Sequence, residues 1–112
     1  MTTGFKLTNG SGFHVTFDNG WTVSVQFGPG NYCGNQYRGT SVRELRKAFT
    51  EEGMRAAGER GCATAEIAAW DNNGDWFRLK EDTVHGWQTP EDAARFMAKI
   101  ARKKPVTKAT AD

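Results

Sequence analysis

Apolar and polar residues alternate in two neighbouring stretches, 13–17 and 21–27, which is the pattern of a β-hairpin with one buried face. The apolar positions are Phe13, Val15 and Phe17 in the first stretch and Trp21, Val23, Val25 and Phe27 in the second. A two-residue Asn-Gly loop would put the apolar side of one strand on the polar side of the other. A three-residue loop, Asp18-Asn19-Gly20, brings all the apolar positions to one face. We therefore predict that loop, with Gly20 in the left-handed conformation that glycine adopts without strain.

The alternation returns in "CATAEIAAW" and "WFRLK", the two segments that flank "DNNGD". An Asn-Asn-Gly loop places Trp70 opposite Trp76, and the same register continues to Glu66 opposite Lys80. One face of this predicted hairpin is apolar, and the other carries the tryptophan pair beside Arg78. The sequence therefore predicts a second hairpin whose outer face is aromatic and charged.

Apolar residues recur at helical spacing in two segments, about 41–60 and 89–104. The first begins with Ser41 in a Ser-x-x-Glu capping-box pattern, in which each side chain meets the other residue's backbone N–H, and it either ends at Gly53 or continues to Gly61. The second begins with Thr89 before a proline and two acidic residues, a favourable helix start. The sequence therefore predicts two helices, followed by a flexible polar tail at 105–112.

The order of the predicted elements indicates a single α+β domain over residues 1–104. Its sheet is expected to be mainly antiparallel with about four to six strands, because the strands come in hairpins. "FKLT" is the first of these strands, and "TVHGW" is either a short last strand or an irregular connection into the final helix. The two helices are expected to pack on the sheet. A chain of 112 residues is long enough for one hydrophobic core of this kind.

The formal net charge is +2, which by itself does not indicate a nucleic-acid ligand. No apolar run approaches the roughly 18 residues of a membrane span, and the N-terminal residues have no secretion-signal pattern. We therefore expect a cytoplasmic protein without a membrane partner. Cys33 and Cys62 match no paired-cysteine motif, so both are expected as free thiols; with His14 and His85 they match no zinc spacing. No metal and no cofactor is expected.

The glycine-rich segment "FGPGNYCGN" offers one candidate ligand site. Gly28 and Gly30 would let the backbone approach a phosphate closely, with Asn31 and Tyr32 as neighbouring contacts. A phosphate loop also uses a lysine or a helix N-terminus, and neither lies nearby in the sequence. The segment is also an ordinary turn composition. A small-ligand binder or sponge for a nucleotide-like molecule is therefore an alternative function.

Cys33 is the candidate nucleophile of a cysteine-dependent enzyme, with His14 or His85 as its base. Such chemistry needs a lowered thiol pKa and a nearby base, and the sequence shows neither. We therefore do not predict an enzyme, and no catalytic residue is assigned. Cys33 and Cys62 are expected to be small buried packing residues.

The tryptophans give the clearest indication of a binding surface. The predicted register directs Trp70 and Trp76 away from the core, beside Arg78 and Lys80. Exposed aromatics with cations are typical of protein interfaces, and they also suit base stacking or a homodimer contact. The alternative is that the 41–60 helix covers this face and makes the pair ordinary packing. These four residues are the predicted partner surface, with a protein as the leading partner and less support for nucleic acid.

Three blocks, "NGWTVSVQFGPGNYC", "TAEIAAWDNNGDW" and "VHGWQTPEDAARFM", resemble a group of small uncharacterised phage and prophage proteins. The resemblance covers about residues 12–100, and the 41–61 segment is longer and more charged than in that group. It implies a phage accessory protein that works in the host cytoplasm by binding a host protein or protein complex. Inhibition of a host antiviral defence system such as CRISPR is an expectation that follows from this class. The group has no assigned function, so no catalytic residues are carried over.

Overall fold

The computed structural model describes residues 3–106, which fold into a five-stranded antiparallel sheet and three helices, an α+β fold. The strands are β1 (Gly4–Thr8), β2 (Gly12–Thr16), β3 (Thr22–Gln26), β4 (Ala65–Trp70) and β5 (Val84–Gln88). The helices are α1 (Val42–Ala48), α2 (Glu51–Arg60) and α3 (Pro90–Ala101). The strands lie in chain order, with α1 and α2 in the connection between β3 and β4. The predicted fold class is therefore confirmed, with three helices where the sequence indicated two.

The β2–β3 hairpin has the predicted register, since Val15 pairs with Val23. Its loop has the predicted three residues and closes with a hydrogen bond from the Phe17 N–H to the Trp21 carbonyl, at 2.8 Å. Gly20 has φ +90, the left-handed conformation that the sequence predicts. The alternation of apolar residues therefore selects this turn over a two-residue one, because a two-residue loop would put the two apolar sets on opposite faces.

The second predicted hairpin is correct at its loop. Trp70 pairs with Trp76, and the Phe77 N–H donates to the carbonyl oxygen of Ala69 at 2.9 Å. These contacts are the ones that an Asn-Asn-Gly loop requires. The tryptophan pair therefore lies where the register places it.

Beyond this point the predicted hairpin is wrong, because β5 occupies the place beside β4 that the prediction gave to residues 78–80. Ile67 pairs with His85, where Leu79 was expected. Leu79 and Asp82 instead close a tight turn through reciprocal backbone hydrogen bonds of 3.0 and 3.2 Å. Two strand-like segments compete for one edge of β4. We attribute the pairing of β5 there to its direct connection to α3, which lets its side chains pack against that helix, as His85 does against Phe96.

The predicted 41–60 helix is divided in two at Thr50. The Thr50 hydroxyl accepts the Gly53 N–H at 3.0 Å and caps the start of α2. A Cβ on Gly53 would collide with the carbonyl oxygens of Lys47 and Ala48. The glycine therefore permits the close approach of α2 to the end of α1 that the sharp turn requires.

α3 begins at the predicted cap. The Thr89 hydroxyl accepts the Asp92 N–H and the Asp92 carboxylate accepts the Thr89 N–H, both at 3.1 Å. The helix ends at Ala101, before the predicted end near residue 104. The Val106 N–H donates to the Asn19 carbonyl at 2.9 Å. The rest of the predicted tail, 107–112, lies outside the described residues.

The core lies between α3 and one face of the sheet. Its buried members are Val23, Val25, Ile67, Ala69, Ala93 and Ile100. α2 contacts the turn between β1 and β2, where Gly58 lies against the Gly10 carbonyl, and α1 has no buried residue. No helix in the described part of the chain combines the length and the apolar character needed to cross a membrane.

Candidate binding surface

The polar face of the sheet carries three aromatic rings in sequence, from His14, Trp70 and Trp76, which we call the aromatic row. The His14 and Trp70 rings meet edge to face, with centroids 5.0 Å apart and planes at 84°. Trp70 and Trp76 form a tilted pair, with centroids 4.9 Å apart and planes at 43°. The row shields the small side chains of β3, since Thr22 and Ser24 are only 3% and 8% exposed.

Strand alternation explains why these side chains share a face. His14 pairs with Ser24, and Thr22 pairs with Trp70, so β3 lies between the two rings. Each of these residues is one position away from an apolar residue that faces α3, and alternate residues point to opposite faces. The two rings therefore meet across β3, above its hydroxyl side chains.

The loop after β4 fixes the position of Trp76. The Asp71 carboxylate accepts the N–H groups of Asn73 and Asp75, at 2.8 and 3.0 Å, and is itself buried. The Asp71 N–H donates to the Asp75 carbonyl at 2.9 Å. Gly74 completes the loop with φ +86, a conformation that favours glycine. Trp76 is therefore held by a closed, hydrogen-bonded loop.

An open groove of about 580 Å³ lies beside Trp76. It is lined by Gly74, Asp75, Trp76, Arg78, Thr83 and Val84. Trp76 is 47% exposed, so nearly half of a large apolar side chain faces water at the groove. A second depression, of about 470 Å³, lies beside Trp70 and includes Lys6 and His14. Residues 41–60 line neither depression, so α1 and α2 do not cover the aromatic row.

The electrostatics of the row favour a neutral histidine beside Lys6. Burial lowers the pKa of the His14 imidazole, and the charge of Lys6 lowers that pKa further. The neutral ring packs against Trp70 without a buried charge. Positive charge near the row therefore comes from Lys6 at one end and Arg78 at the other.

Three of the four predicted surface residues come together. Trp70 and Trp76 are in contact, and Arg78 lines the groove beside Trp76. Lys80 does not join them. Its predicted pairing with Glu66 is wrong, because Lys80 lies with φ +60 in the tight turn that Leu79 and Asp82 close. The surface is therefore centred on the tryptophan pair and one arginine.

Sequence reasoning missed His14 as a member of this surface. His14 lies between Phe13 and Val15, whose side chains face the core side of the sheet, so alternation already directs it to the polar face. Its contact with Trp70 depends on the pairing of β3 with β4, which joins segments more than forty residues apart. The local pattern thus predicts the face on which His14 lies, but it does not predict the contact of His14 with Trp70.

The glycine-rich loop closes around a carboxylate. Glu66 accepts the Tyr32 N–H at 2.8 Å and the Asn31 side-chain amide at 3.3 Å. The Asn31 side-chain oxygen accepts the Gly28 N–H at 2.9 Å. These donors are therefore occupied by groups of the protein, and the charge of Glu66 opposes the binding of a phosphate at the same place.

Gly28 and Gly30 have packing roles in this loop. A Cβ on Gly28 would collide with the side chain of Ser11, and a Cβ on Gly30 would lie 2.8 Å from the ring of Phe49. At both positions a side chain would displace neighbouring protein atoms that come close to the backbone. The close approach that the sequence suggested for a ligand is made by the protein's own side chains.

Cys33 has the surroundings of a packing residue. It is 1% exposed, and burial raises the pKa of its thiol, the reverse of an activated nucleophile. The histidines pack elsewhere, His14 against Trp70 and His85 against Phe96. In the described part of the chain, no group of three or more His, Cys, Asp or Glu side chains is placed to hold a metal ion.

Comparison of the chain with protein-family models, with curated proteins and with solved structures found no match. The resemblance to phage proteins therefore stays an expectation drawn from the three sequence blocks.

Proposed function

We propose that this protein is a non-enzymatic binding protein that contacts a partner protein through Trp70, Trp76 and Arg78. The observation that carries the proposal is Trp76, 47% exposed and held against Trp70 at the edge of an open groove. Tryptophan and arginine are among the residues most enriched at the energetic centres of protein interfaces. A partner that covers the exposed half of such a side chain gains on the order of 1 kcal/mol from the hydrophobic effect.

The tryptophan pair is ordered before any partner binds. Trp76 is fixed by its backbone bridge to Trp70 and by the loop that Asp71 closes. Ordering a flexible side chain at an interface costs about 0.5–1.5 kcal/mol, and this cost is reduced when the side chain is already held. Arg78 adds a planar donor that suits a carboxylate or a carbonyl of the partner.

The chemistry of the groove indicates the kind of segment that it fits. An apolar side chain of the partner would cover Trp76 and Val84, and a neighbouring acidic group would meet Arg78. The expected resemblance of the three sequence blocks to phage proteins favours a host protein as the source of that segment. A component of a host antiviral defence system is the most specific form of this proposal.

The geometry favours a protein over single-stranded nucleic acid. The edge of one ring meets the face of the other between His14 and Trp70, at 84°, so the row does not offer parallel faces to successive bases. The formal net charge of +2 is also small for a site that follows a phosphate backbone. Nucleic acid and a second copy of the chain are outcomes that the experiment separates.

The test is capture of partners from host lysate by the tagged full-length chain, with quantitative mass spectrometry. Trp76→Ser should weaken the captured protein's binding about 30-fold or more, the effect of removing an interface centre worth about 2 kcal/mol. Phe49→Ser is the matched control, because Phe49 is also 47% exposed but lies at the end of α1. The control should bind as wild type does.

Each other result contradicts a part of the proposal. Equal capture by the wild type and Trp76→Ser would remove the aromatic row as the binding surface. Capture that disappears after nuclease treatment would assign the surface to nucleic acid. A Trp76-dependent dimer of the purified chain in size-exclusion chromatography, with no foreign protein captured, would assign it to a second copy.

A further inference from the structure

The two cysteines meet, although they lie on different segments of the chain. Cys33 follows β3 and Cys62 follows α2, and both are free thiols. The Cys62 sulfur lies against the backbone next to Cys33, since a Cβ on Gly34 would come within 2.9 Å of it. The Cys33 thiol donates to the Gly28 carbonyl oxygen at 3.5 Å, and each thiol affects the pKa of the other. The two thiols are therefore neighbours in the fold.

The backbone around the pair is already fixed in this arrangement. The Gly34 N–H donates to the Thr64 hydroxyl at 2.9 Å, which joins the two segments next to the cysteines. A Cβ on Gly34 would lie 2.9 Å from the Cys62 sulfur, so the absence of a side chain there lets the segments approach. The Asn35 side-chain amide also donates to the carbonyl oxygens of Phe27 and Gly61, at 2.8 and 3.2 Å. The two segments that carry the cysteines are thus held against each other.

The two thiols differ in access and in acidity. Cys33 is buried, whereas Cys62 is partly exposed and lines an open, mostly apolar groove of about 300 Å³ between α2 and α3. Burial raises the pKa of the Cys33 thiol. Burial also raises the pKa of the Cys62 thiol, but hydrogen bonding, chiefly to the Thr64 backbone, outweighs it, and the net shift is downward. Cys62 is therefore the thiol that an external reagent reaches first and the one that ionises first.

We propose that Cys33 and Cys62 are a reversible oxidation site that forms an intramolecular disulfide by exchange with a low-molecular-weight disulfide such as glutathione disulfide. The Cys62 thiolate attacks one sulfur of that disulfide, its S–S bond breaks, and one glutathione thiolate leaves. Cys33 then transfers its proton to the glutathione thiolate already released and attacks the Cys62 sulfur of the mixed disulfide. The bond between Cys62 and glutathione breaks, and the second glutathione leaves as a thiolate. Two protein thiols are oxidised and one external disulfide is reduced to two thiols.

The bond would tie the glycine-rich loop to the connection between α2 and β4. The chain between the cysteines contains α1 and α2, so both helices would lie inside the closed ring. A disulfide stabilises a fold chiefly by restricting the unfolded chain, and the restriction grows with the size of the ring. Oxidation should therefore raise the melting temperature of the protein, by on the order of 10 °C.

The experiment incubates the purified full-length chain with glutathione disulfide under native conditions and follows the products by intact mass and by thiol labelling. The wild type should lose two hydrogens in mass and both labelling sites. Cys33→Ser should instead accumulate a glutathione adduct at Cys62, because no second thiol displaces it. Cys62→Ser should react at least 10-fold more slowly, because Cys33 is 1% exposed.

The readouts decide the proposal even if one variant folds poorly, since the wild type alone gives the mass and the melting temperature. A wild type that stays reduced, that keeps a stable glutathione adduct, or that forms only disulfide-linked dimers would overturn it. Equal reaction rates for the two single variants would overturn the assigned roles of Cys62 and Cys33. Recovery of both thiols with reduced glutathione is expected and establishes reversibility; failure to recover them would contradict it.

Discussion

The side-chain amide of Asn19 donates to the carbonyl oxygen of Ile100 at 2.8 Å, so the β2–β3 loop caps the end of α3. The same amide donates to the Lys103 carbonyl at 3.1 Å, and the Asn19 side-chain oxygen accepts the Trp21 N–H at 3.0 Å. Asn19 is only 8% exposed. One loop residue therefore joins the first hairpin to the last helix and satisfies carbonyl groups that a helix end leaves without partners.

Asn19→Ala should lower the free energy of unfolding by about 2–3 kcal/mol, because it leaves buried helix carbonyls and the Trp21 N–H without this partner. Urea unfolding followed by circular dichroism measures the change. Asp18→Ala, at an exposed position in the same loop, is the control and should change stability by less than about 0.5 kcal/mol. Equal effects of the two substitutions would show that the cap contributes nothing of its own.

Gly20→Ala should destabilise the protein by more than Gly74→Ala. Both glycines are left-handed, with φ +90 and +86, so a Cβ costs about 1 kcal/mol at either position. A Cβ on Gly20 would also lie 3.2 Å from the side chain of Asn72, whereas the space around Gly74 is open. The two variants are compared by the same urea unfolding, and a larger loss for Gly74→Ala would contradict this reading of the two loops.

His14 should make the protein less stable as the pH falls below about 6.5. Burial and the charge of Lys6 lower the pKa of His14 in the folded protein below its ordinary value of 6.5. The unfolded chain therefore binds the proton first, and the contribution that is fully present above 6.5 is lost as the pH falls toward the folded pKa. His14→Gln should flatten this part of the stability profile.

An NMR titration of the His14 ring protons checks the cause directly. The midpoint should lie below 6.5 in the wild type and should rise in Lys6→Ala, though not fully, because burial is the larger cause. A wild-type midpoint at or above 6.5 would contradict the description of His14 as a neutral member of the aromatic row.

Glu66→Ala should loosen the glycine-rich loop. The substitution removes the acceptor of the Tyr32 N–H and of the Asn31 amide, which are bound at 2.8 and 3.3 Å. We expect the Tyr32 amide to exchange its hydrogen at least 10-fold faster, the equivalent of about 1.4 kcal/mol of lost protection. Glu66→Gln keeps an acceptor, so its Tyr32 amide should exchange at a rate between those of the wild type and Glu66→Ala. Unchanged exchange in Glu66→Ala would show that the loop does not depend on this carboxylate.

The first hairpin could be predicted in detail because one local constraint decides it. Val15 and Val23 face the same side with a three-residue loop and opposite sides with a two-residue loop, and the three-residue loop requires a residue at Gly20 that tolerates positive φ. The tryptophan pair follows from the same kind of reasoning, since the loop that Asp71 closes sets Trp70 against Trp76. Pattern and turn chemistry together are enough where partners are close in the chain.

The remaining pairing of β4 could not be predicted, because the segment with the clearer alternation, "WFRLK", is not the segment that pairs with β4. Leu79 and His85 both occupy positions that alternation directs inward, and only the contact of His85 with Phe96 on α3 distinguishes them. Glu66 likewise reads as an ordinary strand residue, although it is the acceptor at the centre of a loop more than thirty residues earlier. Such roles depend on contacts between distant segments, which local periodicity does not contain.

The contact between Trp70 and Trp76 also gives the molecule an optical property. Two indole rings 4.9 Å apart and inclined by 43° couple their electronic transitions, so the pair contributes a signed couplet to the ultraviolet circular dichroism spectrum. The couplet depends on the angle and distance between the rings, and the emission of Trp76 depends on how much of it faces water. The tryptophan pair is therefore an intrinsic spectroscopic probe at the centre of the proposed interface. Binding of a partner that covers Trp76 should shift the tryptophan emission to shorter wavelength.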